Sequence, residues 1–235
     1  MQRYFAKEKN EDNFILYDTD HHHIKNVMRY KIGDEVEIIY DKKVYICMIS
    51  SLEPLTFKIN DIKEENRNLP LKLTIAVPLV GEQKFDLIIQ KLTELGVDTI
   101  IPIKTARSIV KIDDKRENKK ISRWRLICKE ASEQAKRIDI PTVTEIHSLK
   151  ELKDYPAKLK LVCSLNEKTQ TIDKYLDNNL KEILFVIGPE GGLSNEEETY
   201  LLTNDFKPTS LGKRVLRVET AAIYLASVIN YIYER

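Results

Sequence analysis

The sequence predicts an α/β protein: a small N-terminal β-barrel followed by a larger domain built around a mostly parallel sheet. Three observations carry this expectation. Over residues 1–70 apolar positions alternate with period two between turn residues. From Leu71 onward strand-like runs alternate with helical spacing. Between the two patterns lies a polar stretch, residues 61–68, closed by Pro70, the best linker candidate in the chain. The expected division is therefore residues 1–70 and 71–235.

In the first part, residues 3–6 and 14–17 read as short strands, and residues 21–30 as one or two helical turns. Gly33-Asp34 turns the chain. Val36, Ile38 and Tyr40 then alternate, Asp41-Lys42-Lys43 turns back, and Val44, Ile46 and Met48 alternate again, which is hairpin patterning. Residues 55–59 add a further strand. In the second part, Leu71, Leu73, Ile75 and Val77 form a strand ending at Pro78. Phe85, Ile88, Ile89, Leu92 and Leu95 recur at helical spacing, and Gly96 stands where a C-terminal cap belongs. Residues 100–103 are a short strand. Trp124, Ile127, Cys128, Ala131 and Ala135 mark the apolar face of a second helix, with Trp124 in the core. Residues 159–165 and 183–187 are apolar enough for buried parallel strands. Ser194 and Glu197 form a capping-box pair, and Leu225, Val228, Ile229 and Ile232 give the stripe of a last helix.

Composition excludes several classes. With 42% hydrophobic and 32% charged residues the chain is neither disordered nor membrane-embedded, and its apolar runs are too short to span a bilayer. Residues 1–7 lack the apolar core of a secretory signal. Three widely spaced cysteines, Cys47, Cys128 and Cys163, fit buried free thiols in a reducing compartment, so a cytoplasmic protein is expected. No metal is expected. The run His21-His22-His23 cannot turn three adjacent imidazoles toward one ion on a short helix. Net charge is +1, yet between Lys104 and Arg137 twelve Lys/Arg stand against five Asp/Glu, a local +7. Such a segment suits either a phosphate backbone or a solvated helix face. Tyr4 and Phe5 are candidates for base stacking.

The most informative stretch is Phe185-Val186-Ile187-Gly188-Pro189-Glu190-Gly191-Gly192-Leu193-Ser194, where a buried strand runs through a glycine-rich turn into a capped helix. Ligands of open α/β sheets bind at the carboxyl ends of strands, and glycines there let main-chain groups approach a ligand. The phosphate-cradling patterns G-x-x-x-x-G-K-[ST] and G-x-G-x-x-G are absent, which favours a neutral adenosine group over a phosphate. A plain tight turn between strand and helix is the alternative. A second stretch, Ser210-Leu211-Gly212-Lys213-Arg214-Val215-Leu216-Arg217-Val218-Glu219-Thr220, places three cations beside a second glycine turn before the last helix.

Together the two stretches resemble the RsmE family of SPOUT methyltransferases, and the resemblance spans nearly the whole chain. It also takes in Gln90-Lys91-Leu92-Thr93-Glu94-Leu95-Gly96-Val97, Arg107-Ser108, Glu130-Ala131-Ser132-Glu133-Gln134 with Arg137 and Pro141, and the N-terminal His22-His23-Ile24, Val27-Met28-Arg29 and Gly33-Asp34. Ala106, where relatives often carry an acid, and Lys213, where proline is common, depart from the pattern.

The resemblance implies a PUA-like N-terminal barrel that binds RNA, a C-terminal SPOUT domain with a trefoil knot, and a homodimer. It implies methylation of N3 of a uridine in 16S ribosomal RNA of the small subunit, with S-adenosylmethionine as the cofactor. The cofactor would lie among three loops, contacted by Leu165 in the first and by Gly188, Pro189, Glu190, Gly191 and Gly192 in the second. Leu211, Gly212, Val215, Leu216 and Arg217 would complete the site. Arg217 is expected to stabilise the uracil anion, while Glu190 or Glu219 accepts a proton or orients a substrate group. Arg3, Arg29, Arg107, Arg137 and Lys213 are the expected RNA contacts. Two rivals are a related knotted enzyme acting on transfer RNA or a ribose oxygen, and a non-catalytic RNA-binding module.

Overall fold

The computed structural model describes residues 1–11, 13–108, 114–177 and 179–234, without the side chains of residues 114 and 115. Its contacts divide the chain into two units. One comprises Met1–Asn68 with Lys129–Ile140, the other Leu69–Cys128 with Pro141–Arg235. The second unit is thus interrupted: the segment after Cys128 returns to the N-terminal unit, which an uninterrupted domain over residues 71–235 does not accommodate.

In the N-terminal unit the order is β1 (Arg3–Phe5), β2 (Glu8–Asn10), β3 (Asn13–Ile15), α1 (Asp18–His22), β4 (Glu35–Tyr40), β5 (Lys43–Leu52) and β6 (Leu55–Lys63). β1, β4, β5 and β6 form one sheet in that order, and β2 and β3 form a separate hairpin. The β4–β5 hairpin pairs Tyr40 with Lys43. Its two-residue turn, Asp41-Lys42, has φ of 48° and 59°, the sign that matches the twist of the flanking strands. β6 runs on to Lys63, so part of the expected linker is strand.

Burial departs from simple alternation. Tyr45, Cys47 and Ile49 join Tyr4, Phe14, Ile24, Val36 and Ile38 in one core. Val44 and Ile46, on the opposite face of β5, pack with Phe5, Ile39 and Ile138. The segment from Lys129 to Ile140 brings the Ile138 that covers this outer face, so both faces of the hairpin are buried. Tyr4 and Phe5, considered as stacking platforms, lie in these two cores, and the Tyr4 hydroxyl is 2.9 Å from His23 Nδ1.

Two expected RNA contacts are corrected here. Arg3 is 1% exposed. Its guanidinium donates to Glu37 (2.9 Å), Glu65 (3.1 Å) and the carbonyls of Lys136 and Arg137, which engages four of its five N–H donors. Arg137 is also buried and bonds Asp139 at 2.8 Å. Both arginines hold the unit together. Arg29, by contrast, is exposed. A buried ion cluster adds to this framework: Lys129 Nζ lies 2.5 Å from Asp20 and 2.7 Å from Glu133. Desolvation pushes the Glu133 carboxyl up to about 7, against the pull of the Lys129 ammonium.

In the C-terminal unit the order is β7 (Lys72–Pro78), α2 (Glu82–Glu94), β8 (Thr99–Lys104), α3 (Asp114–Gln134), β9 (Thr142–Val143), β10 (His147–Ser148), β11 (Leu159–Cys163), β12 (Glu182–Val186), α4 (Asn195–Leu202), β13 (Lys207–Thr209) and α5 (Val218–Tyr233). The last six residues of α3 belong to the N-terminal unit. The strands form one sheet in the order β10-β8-β7-β12-β11-β13, with β9 also on β8. Every pair is parallel.

α2 buries Phe85, Ile88, Ile89 and Leu92 as its spacing predicts. It ends in a glycine cap: Gly96 has φ of 83°, and Val97 N–H reaches back to the Leu92 carbonyl at 3.1 Å. Trp124 is core, its ring 4.4 Å from that of Phe85. One layer of the sheet core joins Ala76, Ile101, Val162, Leu184 and Val186 to Leu193, Leu201 and Phe206. α5 packs against α2 and β7.

The basic segment is mostly neutralised. Lys120 and Arg123 pair with Glu82, Arg123 also with Asp86, and Arg125 with Glu145. Lys111 lies outside the described residues. Arg116 and Lys119 remain exposed on α3.

Candidate active site

β12, β11 and β13 are neighbours and parallel, so their carboxyl ends share one edge of the sheet. The chain leaves that edge three times, after Cys163, Val186 and Thr209. These three segments line one cleft enclosing about 640 Å³, within the range of small-molecule sites.

The first loop is folded by its own polar groups. Ser164 Oγ donates to the Glu198 carboxylate and accepts the N–H groups of Asn166 (3.0 Å) and Glu167 (3.3 Å). The Glu167 carboxylate accepts the backbone N–H groups of Thr169 and Gln170 and the Thr169 hydroxyl, which hold it down at about 2. The loop is tied to the third segment, since Ser210 N–H and Thr209 Oγ1 both donate to the Gln170 carbonyl.

The second loop is a tight bend. Gly192 N–H bonds the Pro189 carbonyl at 2.7 Å, and φ at Gly192 is 71°. A Cβ on Gly188 would stand 3.1 Å from the Leu193 nitrogen, so the bend folds back on itself more closely than a side chain permits. It runs into α4, where Ser194 caps the helix: its Oγ accepts Glu197 N–H at 3.2 Å, and Glu197 Oε2 accepts Ser194 N–H at 2.9 Å. Arg107 Nη1 donates to the carbonyls of Gly191 (2.5 Å) and Leu193 (3.2 Å). The backbone N–H of Ala106 donates to Glu197 at 2.7 Å. The expected RNA-contacting Arg107 thus braces the bend.

The third segment holds Leu211, Gly212 and the cations Lys213 and Arg214, all lining the cleft. Arg217 is the N-cap of α5, with no side-chain cap on the helix. First-turn N–H groups lack intrahelical partners, and Val218 and Ala221 of α5 face the cleft.

Of the expected cofactor contacts, Leu165, Gly188, Pro189, Glu190, Gly192, Leu211, Gly212, Val215 and Leu216 line this cleft. Gly191 lines a neighbouring one instead. Arg217 lines neither and is exposed. Cys163, Ser164, Ile187 and Ser210 line the cleft without having been expected there. Cys163 is half-buried, so the expectation of a core thiol fits only Cys47 and Cys128. The signal available for these four was their place at the ends of strands.

A charged cluster flanks the bend. Lys84 Nζ is 2.6 Å from Glu190 Oε1 and 4.0 Å from Glu219 Oε1. The hydrogen bond raises the Lys84 ammonium above its ordinary value and lowers the Glu190 carboxyl below its own. Glu219 Oε2 is buried without a hydrogen-bond partner among the described residues.

This cleft occurs in known company. The RNA methyltransferase domain family matches residues 67–230, and the RNA methyltransferase PUA domain family matches residues 16–61. Ribosomal RNA small subunit methyltransferase E of Bacillus subtilis is 36% identical over 249 residues, covering 98% of this chain and 96% of that protein. The chain belongs to the ribosomal RNA small subunit methyltransferase E family. Solved members superpose closely. A methyltransferase from Legionella pneumophila bound to S-adenosylmethionine has a TM-score of 0.91 at 30% identity, covering 99% of this chain and 98% of that one. The Neisseria gonorrhoeae family member bound to S-adenosylmethionine has a TM-score of 0.88 at 28% identity, with the same coverage.

Proposed function

We propose that the protein transfers a methyl group from S-adenosylmethionine to N3 of a uridine in 16S ribosomal RNA, acting on the small ribosomal subunit in the cytoplasm as a homodimer. The observation that carries this reading is the convergence of three strand-end loops on one cleft walled by main chain. Leu165, Ile187, Leu216 and Val218 offer apolar surface to an adenine ring. The backbone of residues 188–192 and 210–212 offers hydrogen-bonding groups, and Glu167, Lys168, Lys213 and Arg214 meet a charged amino-acid tail. The residues present fit the cofactor.

When bound, S-adenosylmethionine supplies an electrophilic methyl group on a positively charged sulfur. The protein's part is to hold the uracil in line with it and to favour loss of the N3 proton. Arg217, exposed at the mouth of α5, is the proposed partner of the uracil oxygens. Glu190 is a weak base while it is paired with Lys84, because that ion pair lowers its proton affinity. Separation of the pair by substrate restores it. Arg29, Arg107 and Lys213, all exposed, are the proposed RNA contacts.

The return of the chain from edge strand β13 to pack α5 on β7 and α2, past β11 and β12, supports the knotted topology. Tyr224 and Tyr231, seven residues apart and 46% and 60% exposed, support a dimer face on α5. No described helix is long and apolar enough to cross a membrane.

Incubation with unmodified small subunits and labelled cofactor, followed by mapping of the modified nucleotide, tests the reading. Label at N3 of one 16S uridine is expected. Label in transfer RNA or on a ribose oxygen would replace it.

A further inference from the structure

A second cleft adjoins the first in the C-terminal unit. It is lined by residues 79–84, by Arg107 and Ser108, and by Pro189, Glu190 and Gly191. Pro189 and Glu190 line both clefts, so the bend after β12 is their common wall. Leu79, Val80 and Pro189 make part of the second cleft apolar, and a Cβ at Gly81 would meet nothing within 4 Å. The open side of that cleft suits a flat ring.

Lys84, in the first turn of α2, is the cation placed at the shared wall. Its partners are Glu190 at 2.6 Å and Glu219 at 4.0 Å, and the second Glu219 oxygen is unpartnered among the described residues. At 41% exposure the Lys84 side chain can leave Glu190 for a ligand.

We propose that the second cleft seats the target uracil and that Lys84 is a catalytic residue which donates a hydrogen bond to a uracil carbonyl oxygen. This rests on the base-methylating function proposed above. Loss of the N3 proton puts negative charge on O2 and O4, and a fixed ammonium at one of these oxygens stabilises that charge as it develops. The ammonium's move to the base also frees Glu190. The N3 proton passes to the Glu190 carboxylate, and the nitrogen lone pair forms the bond to the methyl carbon. The carbon–sulfur electron pair stays on sulfur and cancels its positive charge.

The test compares wild type, Lys84→Ala, Lys84→Arg and Gly81→Phe. The readouts are cofactor affinity by calorimetry, thermal stability, and the pH profile of methyl transfer to unmodified small subunits. Lys84 lies outside the cofactor cleft, so cofactor affinity in Lys84→Ala stays within about twofold while kcat falls about a hundredfold. The pH profile of that variant moves upward, because more alkaline solvent must now supply the deprotonation, and Lys84→Arg recovers part of the rate. Gly81→Phe fills the second cleft and abolishes transfer with cofactor affinity retained.

Lys84→Ala turnover near that of wild type with an unshifted profile overturns the assignment of Lys84. So does a loss that parallels lost stability and cofactor affinity. Normal transfer by Gly81→Phe overturns the seat of the base. If wild type binds the cofactor yet labels no uridine, the proposed function itself fails.

Discussion

Replacing Gly188 with alanine probes the bend that both clefts share. The new Cβ would lie 3.1 Å from the Leu193 nitrogen and 3.4 Å from the Gly192 carbonyl carbon. These neighbours are backbone, and no side-chain rotation relieves the contact. The backbone is also held in place: Arg107 bonds the Leu193 carbonyl, Glu197 bonds Ser194 N–H, and Gly192 N–H bonds Pro189. Relief therefore means displacing the bend by a few tenths of an ångström, at the cost of about 1–3 kcal/mol typical of overpacking. If that distortion falls on the cofactor-binding geometry, affinity for S-adenosylmethionine drops about five- to hundredfold. If it falls on the fold, the C-terminal unit melts about 2–4 °C lower per kcal/mol. Calorimetric titration with S-adenosylmethionine and a thermal melt measure the two together. Unchanged affinity with an unchanged melting temperature would refute the claim that the closely folded bend forms the cofactor wall.

Arg217→Ala is expected to abolish methyl transfer while leaving the circular dichroism spectrum intact, and near-normal turnover would remove its assigned role. Arg107→Ala deletes two hydrogen bonds to the bend, so cofactor binding should weaken about fivefold, equivalent to about 1 kcal/mol. Unchanged cofactor affinity with a shallower salt dependence of RNA binding would instead make Arg107 a phosphate contact. Glu133, raised to about 7 in the fold from an ordinary value of 4.5, binds its proton more tightly folded than unfolded. Its contribution to stability is therefore fully present below about 4.5 and is lost as pH rises through about 7. Glu133→Gln should flatten that slope, measured as the difference in melting temperature between pH 5 and pH 8 across wild type and variant, and an unaltered slope would contradict the assignment.

Local elements were legible where one residue type decides the backbone. The α2 stripe with its Gly96 cap, the Ser194–Glu197 capping box and the strand before Gly188 depend on neighbours within a few positions, and the structure shows each. β13 was not legible. It is three residues long and carries Pro208, which lacks an N–H and is tolerated because the strand lies at the sheet edge. The double burial of β5 escaped for another reason. Alternation reports a strand with one wet face, and here residues around Ile138, remote in sequence, cover the second face.

The charges divide in the same way. Arg3 and Arg137 look like RNA contacts in a string of letters, because nothing local shows that Glu37, Glu65 or Asp139 will meet them. Lys84 looks like one surface lysine among many until Glu190, more than a hundred residues away, is set beside it.

By itself the sequence determined the two kinds of domain, the glycine bends, the helix ends and the family resemblance, all of which follow from spacing along the chain. Only the tertiary structure decided that the chain returns to its first unit after Cys128, which arginines are consumed inside it, and that a second cleft with Lys84 at its wall adjoins the first. Those outcomes depend on strand order and on desolvated pairs between distant residues, and neither leaves a periodic trace in the sequence.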